Sequence, residues 1–124
     1  MAIQGIGVDI VEVDRIEEMI GQWRERFLRR IFTPEEIAIC SRKARPAVSY
    51  AARFAAKEAF SKAMGTGLGG ELSWQDFSVG NLASGQPVAV LSPRLEKKLR
   101  PGQVLLSLSH SEKYAIAMVI IVDE

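Results

Sequence analysis

The stretch that decides the fold is Ala47-Val-Ser-Tyr-Ala-Ala-Arg-Phe-Ala-Ala-Lys-Glu-Ala-Phe-Ser-Lys-Ala-Met64, followed by Gly65. Its alanine content and the glycine after Met64 predict one long helix with a left-handed cap. At about 100° per residue, Val48, Ala52, Ala55, Ala56, Ala59, Phe60 and Ala63 share one arc. Arg53, Lys57, Glu58, Ser61 and Lys62 share the other. An outer face in solvent accounts for that polar arc by itself. Tyr50 and Phe54 fall inside it, however, and aromatics there imply that a ligand or another subunit covers this side. The small residues opposite suit close packing on a sheet.

On the N-terminal side of this helix, Ile3 to Val11 reads as a strand, with Ile6, Val8 and Ile10 on one face and Gly7, Asp9 and Val11 on the other. Asp14 and Glu17 have the spacing of a capping box, opening a helix with the stripe Ile16, Met19, Ile20, Trp23, Phe27 and a basic end. Thr33-Pro34-Glu35-Glu36 starts a second, short helix, which Lys43, Arg45 and Pro46 break. On the C-terminal side, Gly67, Gly69 and Gly70 make a loop. Leu72 to Val79 and Val88 to Leu91 read as strands around a Ser84–Pro87 turn, and Pro93 to Leu99 as one or two helical turns. Val104 to Ser109 and Tyr114 to Val122 form a hairpin around His110. The pattern predicts an α+β domain, a long central helix packed on a mainly antiparallel sheet, spanning residues 1–124.

The chain has 124 residues, 48% of them hydrophobic and 25% charged, the composition of a folded domain. Sixteen basic and fifteen acidic residues nearly cancel, which gives no ground for a nucleic-acid partner. A single cysteine, Cys40, excludes an internal disulfide and a cysteine metal cluster, and suits a reducing compartment. No signal-like start and no membrane-length apolar run is seen, so a cytoplasmic location without membrane contact is expected. A domain this small gains burial by oligomerising.

Asp9 is an anomaly: a carboxylate in mid-strand costs several kcal/mol to desolvate unless paired. A salt bridge is one resolution. A hard-cation site is the other, with Asp9 and Glu58 as ligands and Lys57 and Lys62 beside them to meet phosphates. Gly65-Thr66-Gly67 is either a plain cap and turn or a loop whose N–H groups approach a phosphate. Ser109, His110 and Ser111 are either an exposed turn or a trio of phosphate donors. No second histidine and no ordered triad point to a nucleophilic site. Arg24, Arg26, Arg29 and Arg30, offset only by Glu25, suit solvent or an acidic partner.

Several blocks together resemble the holo-acyl-carrier-protein synthases. They are Gly5-Ile-Gly-Val-Asp-Ile-Val-Glu-Val-Asp-Arg-Ile16, Phe32-Thr-Pro-Glu-Glu36, Arg53-Phe-Ala-Ala-Lys-Glu-Ala-Phe-Ser-Lys-Ala-Met-Gly-Thr-Gly67 and Ser107-Leu-Ser-His-Ser-Glu-Lys-Tyr-Ala-Ile-Ala117. Leu72-Ser-Trp-Gln-Asp-Phe77 and Gly85-Gln-Pro87 fit as well. The resemblance implies a homotrimer with active sites between subunits and a role in fatty acid biosynthesis. It implies that phosphopantetheine passes from coenzyme A to a serine of acyl carrier protein, with adenosine 3',5'-bisphosphate leaving. It places magnesium on Asp9 and Glu58. Arg53, Lys62, Gly65 and His110 would line the coenzyme pocket, extended by Lys57, Ser61, Thr66, Gly67, Gly85, Pro87, Ser109 and Ser111. Arg15 and Arg26, joined by Arg24, would face the carrier. Glu58, directly or through a metal-bound water, is the candidate base, with Lys62 stabilising the leaving phosphate and Glu36 a weaker alternative base. The competing reading is a non-catalytic module that binds coenzyme A or an acidic protein. The Asp9–Glu58 pair argues against it, because a plain anion binder would avoid carboxylates.

Overall fold

A computed structural model describes residues 2–68 and 70–123; Gly69, read above as loop, lies outside them. β1 (Ile3–Glu12) runs directly into α1 (Val13–Trp23), then come α2 (Glu25–Ile31), α3 (Pro34–Ser41) and the long α4 (Pro46–Met64). β2 (Phe77–Asn81) and β3 (Pro87–Leu91) form a hairpin, followed by the single turn α5 (Pro93–Glu96). β4 (Val104–His110) and β5 (Tyr114–Val122) close the chain. The strands make an antiparallel sheet β1-β5-β4 and a separate β2-β3 pair.

α4 lies between these two layers. On one side the three-stranded sheet meets its alanines, and Ala55, Ala56 and Ala59 are buried. The contact is closer than alanine on both elements would permit. A Cβ at Gly5 would collide with the carbonyl of Ala63, and one at Gly7 with the carbonyl of Ala59. Glycine in β1 is therefore what lets helix backbone rest on strand backbone. On the other side Phe60 stacks on Phe77 with ring centroids 4.3 Å apart, Phe54 stacks on Trp74 at 5.1 Å, and Tyr50 packs on Phe32 at 4.9 Å. Tyr50 is thus buried by this chain's own Phe32, while Phe54 is covered on one side by Trp74 and remains partly exposed.

The same layer corrects the assignment of Lys57 and of Glu36. Both side chains are 1% exposed, and the Lys57 ammonium lies 2.9 Å from Glu36 Oε1. Lys57 also donates to the carbonyls of Trp74 at 2.8 Å and Phe77 at 2.6 Å. Glu36 accepts from the N–H of Thr33 and of Val79, each at 3.0 Å. Burial pulls the Lys57 pKa down and the Glu36 carboxylate opposes it. An ammonium with all three protons committed inward has none to offer a phosphate, and a carboxylate this enclosed cannot reach a substrate hydroxyl.

Three boundaries moved for local reasons. α1 starts at Val13, not behind an Asp14 cap, because the Val13 N–H bonds to the Lys113 carbonyl at 2.8 Å and anchors the first turn to the β4–β5 loop. The basic helix breaks at Arg24, which adopts φ 47°, so Phe27 belongs to a second helix. The stretch from Leu72 to Asp76 is a turn rather than strand. There Asp76 accepts from the Ser73 N–H at 2.8 Å and the Ser92 hydroxyl at 2.7 Å, and pairs with Arg94. Pro46 opens α4 instead of ending α3's approach, and Gly65 ends it in the left-handed conformation at φ 77°. The Thr33–Glu36 capping box forms as read.

Candidate active site

Asp9 is on the α4 side of β1, as the alternation requires. Lys62 Nζ is 3.2 Å from Asp9 Oδ1 and 3.0 Å from the Val8 carbonyl. Glu58 is one turn earlier on α4 and shares that flank. Its carboxyl pKa is raised, first by burial and then by the negative charge of Asp9, while Lys62 opposes the rise. The close approach allowed by Gly5 and Gly7 is what sets residues 58 and 62 beside residue 9. Asp9 and Glu58 open into a cavity of about 850 Å³, which Arg15, Arg26 and Arg30 also line over a floor of Phe27, Phe54 and Trp74. Arg24, at the helix break, is not among its lining residues.

The donor set is two carboxylates with a lysine. Hard oxygen donors of this number suit a magnesium ion that completes its shell with phosphate oxygens and water. Two like charges in a half-buried setting, only partly offset by Lys62, also favour a cation between them. Among the described residues no group of three or more His, Cys, Asp or Glu forms a closed metal cage.

A second cavity, of about 670 Å³, holds the other predicted anion-binding residues: Arg53, Gly85, Pro87, His110 and Ser111. Arg53 is buried. It donates to the Ser49 hydroxyl at 2.8 Å and to Asn81 Oδ1 at 2.7 Å, and its Nε has no partner. Gly85 adopts φ 92° in the β2–β3 turn, where its carbonyl accepts from Asn81 at 2.9 Å. His110 ends β4 and projects to the cavity side.

The remaining predicted residues fall outside both cavities. Ser61 is buried and donates to the Glu58 carbonyl at 2.7 Å, which serves the helix. The Thr66 hydroxyl is buried without a partner, and its N–H bonds to the Ser61 carbonyl at 3.1 Å. Gly65 and Gly67 continue that cap. The trio around the histidine does not hold together. Strand alternation puts Ser109 on the opposite sheet face, opposite Ile116, and Ser111 Oγ accepts the Tyr114 N–H at 3.2 Å within the turn. The sequence reading missed Asn81 and Arg45 as cavity residues. Nothing at their positions but a strand end and a helix N-cap marked them.

One cavity thus carries two carboxylates with a lysine paired to one of them, and the other a guanidinium with an imidazole. The profile of the 4'-phosphopantetheinyl transferase superfamily matches residues 5–119. The holo-[acyl-carrier-protein] synthase of Koribacter versatilis (strain Ellin345) is 47% identical over 124 residues, covering 98% of this chain and 99% of its own. The crystal structure of holo-[acyl-carrier-protein] synthase from Neisseria meningitidis matches with a TM-score of 0.88 at 39% identity, covering 98% of this chain and 99% of that one. That of the Bacillus anthracis str. Ames synthase in complex with CoA (3',5'-ADP) gives 0.80 at 39% identity, covering 98% and 97%. The chain belongs to the 4'-phosphopantetheinyl transferase superfamily and, within it, to the holo-[acyl-carrier-protein] synthases, and it is therefore an enzyme.

Proposed function

We propose that the chain transfers phosphopantetheine from coenzyme A to a serine of apo acyl carrier protein. In this reading magnesium sits on Asp9 and Glu58, adenosine 3',5'-bisphosphate is released, and the product serves fatty acid biosynthesis. The observation that carries it is the convergence of Asp9 from β1 with Glu58 from α4 at one cavity wall, with Lys62 3.2 Å from Asp9 behind them. The complex of the Bacillus anthracis synthase with CoA (3',5'-ADP) supports the coenzyme as ligand.

When bound, the ion would neutralise charge on the pyrophosphate. The chain's own residues do the rest. Lys62, with its side chain 54% exposed, is free to leave Asp9 and meet the phosphate that departs. Glu58 stands where the serine hydroxyl must arrive and takes its proton. Arg53 and His110 grip the coenzyme's phosphates farther from the bond that breaks. Arg15 and Arg26 meet an acidic carrier surface over the apolar floor.

These roles require more than one copy. Arg53 and Glu58 are five residues apart on α4, so they project roughly 140° apart around its axis. They also open into different cavities. One coenzyme reaches both if the first cavity of one copy faces the second cavity of the next. A head-to-tail contact of this kind can close into a ring, and the homotrimer that the family resemblance implies is one such ring. A surface for it exists. The outer face of the three-stranded sheet aligns Ile6 with Ile120 and Leu105, Val8 with Met118, and Ile10 with Ile116. Ile6 and Ile10 are about 60% exposed there, and an exposed apolar sheet face supports a subunit contact.

Mass spectrometry of apo carrier protein, incubated with the chain, coenzyme A and magnesium, tests the proposal. A gain of one phosphopantetheine, abolished by a chelator, is expected. An unchanged carrier mass would contradict it.

A further inference from the structure

The β2–β3 hairpin carries one wall of the second cavity but, among the described residues, has no strand on its far edge. Among those residues β2 pairs only with β3, and the hairpin is not hydrogen-bonded into the three-stranded sheet. A two-stranded ribbon is marginal unless something else holds it. Here the far edge is met by side chains. The Phe77 carbonyl accepts from the Lys57 ammonium at 2.6 Å, and the Val79 N–H donates to Glu36 Oε2 at 3.0 Å. Two residues farther on, Asn81 accepts from Arg53 and donates to the Gly85 carbonyl.

We propose that the buried Glu36–Lys57 pair is a positioning device for the coenzyme cleft: it stands in for a missing edge strand along β2 and so fixes Asn81, and through Asn81 the Arg53 guanidinium. The two charged groups supply what one neighbouring strand would, a donor at residue 77 and an acceptor at residue 79. Their mutual contact at 2.9 Å keeps both aimed at the ribbon. Stability alone does not call for ions at this place, since apolar pairs of like volume commonly hold a core as well. What an apolar pair cannot do is set the register of a strand against α3 and α4. The pair bonds α3 through Thr33, α4 through Lys57 itself, and the corner before β2 through Trp74. The hairpin thus inherits the placement of the helix that carries Arg53.

This inference rests on the reading of the second cavity as the coenzyme site. Its test uses the neutral pair Glu36→Gln/Lys57→Met, which keeps one acceptor for Val79 and leaves no unpaired charge. Steady-state transfer is measured with coenzyme A and apo carrier varied separately, beside hydrogen exchange of the Val79–Gly85 amides. The KM for coenzyme A is expected to rise about tenfold, while kcat and the KM for carrier stay within about twofold. The hairpin amides are expected to exchange faster at unchanged global unfolding. Adding Asn81→Ala to the neutral pair should raise that KM no further, because both act through one route. A folded neutral-pair variant with the parent KM for coenzyme A would overturn the proposal, and so would full multiplication of its effect with that of Asn81→Ala. If the neutral pair does not fold, Glu36→Gln/Lys57→Gln, which keeps an uncharged acceptor and donor, decides: about a threefold rise in KM supports the device and none overturns it. If the parent chain transfers nothing, the functional reading fails, and the exchange rates still decide whether the pair holds the hairpin.

Discussion

The two cavities are built by different means. At the first, the groups proposed to react are set by backbone. Gly5 and Gly7 let α4 touch β1, and Asp9, Glu58 and Lys62 meet because two regular elements cross there. At the second, Arg53 is set by side chains, through Ser49, Asn81 and behind them the Glu36–Lys57 pair. The first region has little to reorganise and suits groups that act on reacting atoms, where small displacements are costly. The second is a chain of side-chain contacts around a marginal ribbon and suits the grip on a ligand's far end.

That contrast is open to attack by substitution, and the largest effects belong to the backbone-set region. Asp9→Ala or Glu58→Ala is expected to lower the transfer rate by about 10²–10³-fold or more with the protein still folded. A variant that keeps parent activity would remove the carboxylate pair from the account. Gly7→Ala comes next. Its methyl meets the Ala59 carbonyl, so denaturant unfolding should show about 1–3 kcal/mol lost, with a fall in activity as α4 moves off β1. Gly21→Ala, in α1 with open space around it, should instead gain roughly 0.5–1 kcal/mol. Equal costs at both sites would mean the close approach is not what sets the first region. The smallest effect is expected at the rim. Arg26→Glu should raise the KM for carrier several-fold to about tenfold, with salt weakening the difference, and leave the KM for coenzyme A little changed. An equal rise in both would place Arg26 elsewhere than on the carrier face.

The same contrast explains what could be read in the sequence. Strand alternation put Asp9 on one face with Gly7 and Val11, and capping chemistry fixed the start of α3 and the end of α4, because these are local and periodic signals. The close packing of alanines on a sheet was also legible. The partner glycines in β1 were not, since a glycine's role there depends on which helix crosses it. The helical wheel erred most. It merged Lys57 with Glu58 and Lys62 into one polar arc, although neighbouring residues on a helix project in different directions, and only the tertiary fold shows that the Lys57 side is covered by α3. Glu36 gave its capping role in advance and hid its pairing with a lysine 21 positions later. Ser109 and His110 read as one cluster, though adjacent strand residues face opposite ways. The structure brings Asp9 and Glu58 to one cavity from two different elements, whereas residues adjacent on a single element, Lys57 with Glu58 and Ser109 with His110, face apart.

The central claim is that a working site joins the carboxylate cavity of one copy to the arginine cavity of another. Two variants, Glu58→Ala and Arg53→Ala, each expected to transfer little alone at coenzyme A well below the KM of Arg53→Ala, test it by co-refolding or subunit exchange. In randomly mixed rings of the proposed kind about a quarter of the interfaces pair an intact Glu58 with an intact Arg53, so transfer should return to about that fraction of the parent rate. A mixture that remains as inactive as its components, with subunit exchange shown by mass, would mean that each copy builds its site alone.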